Sequence, residues 1–559
     1  MPTEFQPVES DLTSDFRTGF VPFPPDRVEE YRRAGYWTGR RLDSILSDAA
    51  AAQPDKAAVI DPDRSHTFAE LDALADRVAA GLADLGIAPG DRVLLQMPND
   101  TRFAVAFFGL LRAGAIPVMC LPGHRSAEMS HFAEVSGAVG LIIPERANGF
   151  DYRELARALT ASRPRLRHVI VDGATDPSGD GFVPWSALAE FAGPAVPRPP
   201  VDTTAPALLL VSGGTTGLPK LIPRTHDDYV YTAVASARAY EMTSDDVYLV
   251  VLPAAHNFPL ACPGMLGAMT VGASTVFTAD PSPEAAFPLI NRHRVTVTGL
   301  VNALAKLWAQ ACEWEPELPE SLRVVQVGGS RMSPQEAQFI LDRLTPGMSQ
   351  IFGMAEGMLN FTRPGDPIDV VVHTQGRPMS PHDEMRVVDE SGAEVAPGEE
   401  GELLVRGPNT LNGYYRDDEA NARSFSPDGF YRTGDRVRIF ADGPRAGHVE
   451  VTGRVKDVIH RGGETVSATD LEDHLLTHPA IYAAAAVPLP DEFLGEKICA
   501  AVVFRGAPVS LTELNGYLDE RGVATHAFPT RRSSDLPSLP MTAVGKVDKK
   551  KVVEQVLSQ

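Results

Sequence analysis

Near its centre the chain reads Leu208-Leu-Leu-Val-Ser-Gly-Gly-Thr-Thr-Gly-Leu-Pro-Lys220. A short run of Leu and Val bounded by a glycine cluster is the pattern of a buried strand feeding a loop. Gly213, Gly214 and Gly217 carry no Cβ, so their backbone N–H groups are free to close around an anion. Ser212, Thr215 and Thr216 add hydroxyl donors, and Lys220 adds a positive charge at the rim. Such a stretch is either a loop that grips the phosphates of a nucleotide or a solvated turn. It is not a P-loop, since no Gly-Lys-Ser/Thr closes it, and no G-x-G-x-x-G opens a dinucleotide fold here.

Outward from this stretch the text alternates helix and strand. Pro24-Pro25-Asp26 caps a short helix over residues 27–34, and Tyr36 and Trp37 then pack on the main body. Thr67 and Glu70 make a capping box, followed at helical spacing by Leu71, Leu74, Val78 and Leu82. A strand over 92–97, a helix over 103–111, a strand over 115–119 and a helix over 127–136 come next. This alternation predicts an α/β fold, a large N-terminal domain of layered, mostly parallel sheets with helices. Residues 172–205, rich in Pro, Gly and Asp, include surface loop. Residues 245–278, 295–301 and 324–330 supply further strands. The last of these ends in Gly328-Gly329, bare backbone on which a flat ligand can lie.

At 559 residues the chain exceeds one core. Its 43% hydrophobic and 22% charged content is that of a globular protein. A net charge of −22 excludes nucleic acid or an anionic membrane as the main partner, so a nucleotide must meet a local basic pocket. The four cysteines, Cys120, Cys262, Cys312 and Cys499, form no C-x-x-C pair, which fits a reducing cytoplasm. The N-terminus shows no basic region followed by an apolar core. Residues 248–279 lack Asp, Glu, Lys and Arg, but three prolines, three glycines and His256-Asn257 make them buried strands and pocket loops instead of a membrane span.

The segment Ser212 to Lys220 resembles the signature loop of the adenylate-forming superfamily, which includes acyl- and aryl-CoA ligases, peptide-synthetase adenylation domains and luciferases. More motifs follow in that superfamily's order: Gln350-Ile-Phe-Gly-Met-Ala-Glu356, Gly401-Glu-Leu-Leu-Val-Arg-Gly407, Gly413-Tyr-Tyr415, Tyr431-Arg-Thr-Gly-Asp435 and Pro540-Met-Thr-Ala-Val-Gly-Lys-Val547. The resemblance, spanning residues 42–550, implies ATP as substrate and Mg²⁺ as the accompanying ion. It puts Phe352 and Gly353 against the adenine, Glu356 on Mg²⁺, and Asp435 on the ribose hydroxyls with Arg454 nearby. It makes Lys546 the adenylation catalyst, a cation offsetting the repulsion as a carboxylate attacks the α-phosphate. The three lysines after it, Lys549 to Lys551, are assigned to solvent. Gly453-Arg-Val-Lys-Asp457 resembles the superfamily hinge, with Lys456 at the pivot. Residues 1–455 then form the nucleotide-binding domain, with a leader over 1–40 packed on it. Residues 456–559 form a small, mobile α+β domain with a helix over 468–476 and strands over 483–488 and 498–504.

One stretch departs from the superfamily. Residues 528–536 read Phe-Pro-Thr-Arg-Arg-Ser-Ser-Asp-Leu, with no strand alternation, where relatives carry an apolar strand. The same nine letters match one reading frame of a common sequencing-adapter oligonucleotide, so the working hypothesis is an inserted read that replaces a native strand. Recovery of the same codons on resequencing removes it. A protein made with this piece is expected to place Lys546 poorly and to adenylate poorly.

Leu252-Pro-Ala-Ala-His-Asn-Phe-Pro-Leu-Ala-Cys-Pro-Gly264 resembles the stand-alone aryl-acid ligases of bacterial siderophore pathways. The resemblance implies that His256, Asn257 and Phe258 line the acid pocket, with His256 at its carboxylate end among the catalytic groups. Asn257 bonds the ortho hydroxyl and the carboxylate; a neutral Asn suits an acid with no ammonium group. In that branch Cys at 262 with Leu at 359 accompanies salicylate, and Ser with Val accompanies 2,3-dihydroxybenzoate. A thiol is a poor partner for a 3-hydroxyl, and Leu fills its space. The expected partner is the phosphopantetheine arm of an aryl carrier protein. The alternatives are 2,3-dihydroxybenzoate as acid, free CoA as acceptor, or an inactive ligand-binding relative.

Overall fold

The computed structural model describes residues 19–173, 181–212, 219–455, 457–461, 464–491, 494–521, 523–533, 538–542 and 546–558. Two largely parallel sheets form the large domain, as the alternating pattern predicts. In the first, strands Met348–Met354, Val324–Gly328, Val297–Val301, Val247–Val250, Ser274–Phe277 and Ala57–Ile60 lie side by side and parallel. In the second, Pro206–Val211 runs parallel to Ile116–Met119 and then turns back antiparallel as Leu221–Thr225. Pro206–Val211 and Val324–Gly328 are buried on both faces, hence their Leu- and Val-rich runs. The helix Phe68–Asp84 starts at the predicted capping box: Thr67 accepts from the Glu70 N–H and the Glu70 carboxylate accepts from the Thr67 N–H.

The leader packs as its aromatic residues require. Trp37 is buried, donates its indole N–H to Pro408 O at 3.0 Å and meets Phe23 edge-on. Tyr36 lies against Tyr231 and His382.

A third, antiparallel sheet (Glu384–Val388, Glu400–Arg406, Tyr431–Ile439 and Val449–Arg454) carries the chain to the smaller domain. That α+β domain centres on the long antiparallel pair Ile481–Asp491 and Gly495–Phe504, backed by helices Ala468–Leu476, Leu511–Glu520 and Lys549–Leu557.

Three readings need correction. Residues 248–279 are not only strands and loops, since helices Asn257–Ala261 and Gly264–Thr270 form within them. The His256 side chain caps the first by accepting from the Phe258 N–H, and Pro259 sits in its first turn, where no helical donor is needed. Arg531–Ser533 does form a strand, parallel to Cys499–Ala501, because backbone pairing on a sheet edge asks for no apolar alternation. Finally, Lys549 is not left to solvent: its ammonium lies 2.9 Å from Glu472 and 3.5 Å from Asp457.

Candidate active site

Four chain segments converge. The first is the glycine-rich loop. Gly213, Gly214, Thr215, Thr216 and Gly217 lie outside the described residues, but the loop's two ends are tied together. The Ser212 N–H donates to Lys220 O, and the Lys220 N–H donates to Ser212 Oγ, each at 2.9 Å. The Lys220 ammonium then sits 4.4 Å over the Tyr414 ring.

Tyr414 links this loop to the second segment. Its hydroxyl donates to Glu356 Oε1 at 2.9 Å and lies 2.9 Å from the Tyr431 hydroxyl. Burial pushes both phenols up, and the Glu356 carboxylate pushes them further, so both keep their protons. Arg224 fixes the backbone around Glu356. It is buried, pairs with Asp228 at 3.1 Å, and donates to Ala355 O at 2.9 Å and Asn409 O at 3.0 Å. Phe352 and Gly353 stand at the end of Met348–Met354 with Glu356 two residues beyond it, next to the neighbouring strand that ends in Gly328 and is followed by Gly329. A Cβ on Gly328 would meet Ile351 Cγ2 at 2.4 Å, and Gly329 holds φ +91°. Only glycine gives this smooth floor.

The third segment is Asp435. It is buried, 5% exposed, on the strand Tyr431–Ile439, and Arg454 Nε reaches its Oδ1 at 2.9 Å. Burial pushes the Asp435 carboxyl up, while Arg454 and Lys546 pull it back.

The fourth segment is the C-terminal turn. Thr542 clasps Lys546 twice, its N–H donating to Lys546 O at 2.7 Å and its Oγ1 accepting from the Lys546 N–H at 3.1 Å. The ammonium is held in the field of Arg454, Asp435 and Glu356, and burial holds its pKa below the usual lysine range. Lys546 also acts on His256, whose pKa is lowered to about 4 by burial and by that ammonium, so the imidazole is neutral at pH 7. Of the atypical stretch 528–536, residues 534–536 lie outside the described residues.

Behind His256, Asn257 is buried at 6% exposure. Its Oδ1 accepts from the Tyr229 hydroxyl at 2.8 Å, and its Nδ2 lies 3.4 Å from Cys262 Sγ. Phe258, Cys262 and Leu359 belong to one buried apolar cluster. Burial raises the Cys262 thiol to about 12, so it stays protonated. Leu359 pairs across to Gly353, where a Cβ would approach Leu359 Cδ2 to 2.3 Å. Lys456 lies outside the described residues; next to it, Asp457 donates its N–H to Arg454 O at 3.1 Å.

The residues missed by sequence reasoning are Arg224, Asp228 and Tyr229. Their signal is a charged pair four apart in an otherwise buried stretch, with Thr225 and Asp228 forming a capping box.

A glycine-ended strand, the Asp435–Arg454 ion pair and Lys546 in their field are what a carboxylate-activating, nucleotide-dependent ligase requires. The chain belongs to the family of AMP-binding enzymes, the adenylate-forming ligases. That family's profile matches residues 46–415, and the profile of the AMP-binding enzyme C-terminal domain matches residues 470–546. The salicyl-AMP ligase / salicyl-S-ArCP synthetase of Mycobacterium tuberculosis is 64% identical, covering 96% of this chain and 94% of its own length. The 2,3-dihydroxybenzoate-AMP ligase of Bacillus subtilis is 45% identical over 96% of this chain and 98% of its own. Among solved structures, apo MbtA of Mycobacterium smegmatis superposes with a TM-score of 0.77 at 63% identity, covering 97% of this chain and 100% of that one.

Proposed function

We propose that this protein is an ATP-dependent salicylate–AMP ligase that passes the acyl group to the phosphopantetheine thiol of an aryl carrier protein in siderophore biosynthesis. The observation that carries the reading is Lys546 standing between the nucleotide side, Asp435 and Glu356, and the acid side, His256.

Asp435 accepts the ribose hydroxyls, Arg454 holds that carboxylate, and the floor formed by Gly328, Gly329 and Phe352 carries the adenine. The Lys546 ammonium bridges the incoming carboxylate and the α-phosphate, offsetting the charge that builds as they join. Neutral His256 packs at the carboxylate end without adding a competing cation. Glu356 fits Mg²⁺: among the described residues no cluster of three metal-ligating side chains exists, and a single carboxylate suits an ion that takes its other ligands from phosphate and water. Bound there, Mg²⁺ would neutralise the departing pyrophosphate. The glycine-rich loop, residues 212–217 with Lys220, is assigned to the phosphates.

A lysine filling the adenylation geometry blocks the approach of a thiol to the same carbon, so the small domain, taken as residues 456–559, turns about Lys456 between half-reactions. Cys262 and Leu359 favour salicylate over 2,3-dihydroxybenzoate, the second reading. No helix among the described residues is long and apolar enough to cross a membrane, and with three of the four cysteines buried as free thiols we place the protein in the cytoplasm.

Pyrophosphate exchange with a panel of aryl acids, followed by transfer to carrier protein or free CoA, tests the assignment. Exchange fastest with salicylate and transfer to the carrier are expected. Exchange with no acid would leave a ligand-binding relative, and transfer to CoA alone an aryl-CoA ligase.

A further inference from the structure

Asn257 is held from behind. Tyr229, fully buried on the helix His226–Ala239, donates its hydroxyl to Asn257 Oδ1 at 2.8 Å. The direction of this bond follows from supply and demand. No other partner for that hydroxyl is found among the described residues, and a buried O–H left without an acceptor is costly. The amide has a single acceptor atom, so Tyr229 claims the oxygen and turns the nitrogen the other way. Flipping the amide would set its N–H against the phenol and strand the phenolic proton. The nitrogen carries two hydrogens. Cys262 Sγ, 3.4 Å away, is a weak acceptor for one, and the other is left for a ligand.

We propose that Tyr229 is a specificity-determining positioning residue: by fixing the Asn257 amide with its N–H edge toward the acid, it makes the site favour an ortho substituent that accepts a hydrogen bond and reject one that donates. This rests on the aryl-acid reading of the site and refines it. In salicylate the 2-hydroxyl hydrogen turns inward to the carboxylate, leaving oxygen lone pairs to accept from Asn257. In 2-aminobenzoate one N–H makes that internal bond and the second points outward, while the nitrogen lone pair is drawn into the ring. N–H then faces N–H. The two acids have nearly the same shape, so hydrogen-bond direction is what separates them, and a site built for one polarity discriminates strongly against the other.

The test is pyrophosphate exchange by the full-length protein with salicylate, 2-aminobenzoate and benzoate. Tyr229→Phe keeps the ring and removes the clamp. The kcat/KM ratio of salicylate to 2-aminobenzoate is expected to shrink about tenfold, while benzoate, with no ortho group, stays within about threefold of the unmodified protein. A purely structural role lowers all three acids in parallel, and that result, like an unchanged ratio, overturns the proposal. Should Tyr229→Phe not fold, Asn257→Asp reads the same point. An aspartyl side chain still accepts from Tyr229 but offers only oxygen to the acid, so preference turns toward 2-aminobenzoate; retained preference for salicylate overturns it. Exchange by the unmodified protein with none of the three acids sinks the aryl-acid reading itself and takes this proposal with it, a failure distinct from any change of ratio in the variants.

Discussion

Nε of Arg454 lies 2.9 Å from Oδ1 of Asp435, joining the residue assigned to the ribose to a residue two positions ahead of Lys456, the proposed pivot. The two are opposite each other in the register of the antiparallel sheet, so backbone pairing sets the distance before any side chain acts. In the proposed reaction, nucleotide grip and domain swing therefore share one ion pair.

Asp435→Ala removes the ribose acceptor and leaves Arg454 without this partner. Hydrogen bonds to a charged group contribute about 1.5–3 kcal/mol, so the KM for ATP should rise on the order of 10- to 100-fold. The KM for the acid, measured in the same exchange assay, should move little. A larger effect on the acid than on ATP would place Asp435 elsewhere in the reaction.

Lys546→Met should lower adenylation on the order of 100- to 1,000-fold, the usual cost of deleting one preorganised charge from a transition state. Transfer from supplied salicyl-AMP to the carrier should survive, because that step uses the other domain pose. The pH dependence follows from the lowered pKa of this lysine. Adenylation needs the ammonium, and the ammonium is lost at lower pH than in a free lysine. The alkaline limb of kcat should therefore fall below the ordinary lysine range, and Lys546→Arg should move it upward. His256, with its pKa near 4, contributes no inflection around pH 6.5.

Arg331, just after the glycine floor of the large domain, forms an ion pair with Asp473 on the small domain's helix Ala468–Leu476 and lies 3.6 Å from Glu450. Burial raises the Asp473 pKa to about 6; Asp470, Glu472 and Glu336 act in the same sense and Arg331 opposes them. Because burial outweighs the ion pair, the docked carboxyl holds its proton more tightly than a free one, so the contact is favoured below about pH 6 and weakens as the pH rises through that value. Asp473→Asn fixes the neutral form and should remove the decline of adenylation as the pH rises through about 6, leaving the rate at about pH 7.5 equal to or above that of the unmodified protein. Thiol transfer, measured from supplied acyl-AMP, should be unchanged or slower. Equal loss in both half-reactions would make the pair a general stabiliser instead.

Much of this was legible in the residues because local rules and global fold agree. The capping box at Thr67, the helix Ala468–Leu476 and the glycine-ended strand Val324–Gly328 all follow from patterns a few residues long. What escaped depends on partners far off in sequence. Tyr229 meets Asn257 from 28 residues away, Arg224 reaches Asn409 across 185, and Lys549 finds Glu472 and Asp457 across the small domain. A run of lysines after a motif looks like a solvated tail until the fold closes over its first member. The strand at Arg531–Ser533 escaped for a different reason: its pairing uses backbone groups alone.

The choice of acid is open to a direct swap. Cys262 and Leu359 are each almost fully buried, at 1% and 3% exposure, within one apolar cluster that also holds Phe258. A 3-hydroxyl pressed against this wall finds a protonated thiol, itself a poor partner, and a branched alkyl group. Cys262→Ser supplies a hydroxyl that both donates and accepts, and Leu359→Val removes one methylene to make room. Leu359 also packs on Gly353, so the smaller side chain relieves that contact without crowding the strand. The double variant should raise the kcat/KM ratio of 2,3-dihydroxybenzoate to salicylate about 10- to 100-fold, since an unpartnered buried hydroxyl costs about 1–3 kcal/mol. Most of the change should come from the catechol acid, because salicylate needs neither the hydroxyl nor the space. A ratio unmoved by both substitutions together would put the 3-position of the ring against a different wall of the pocket.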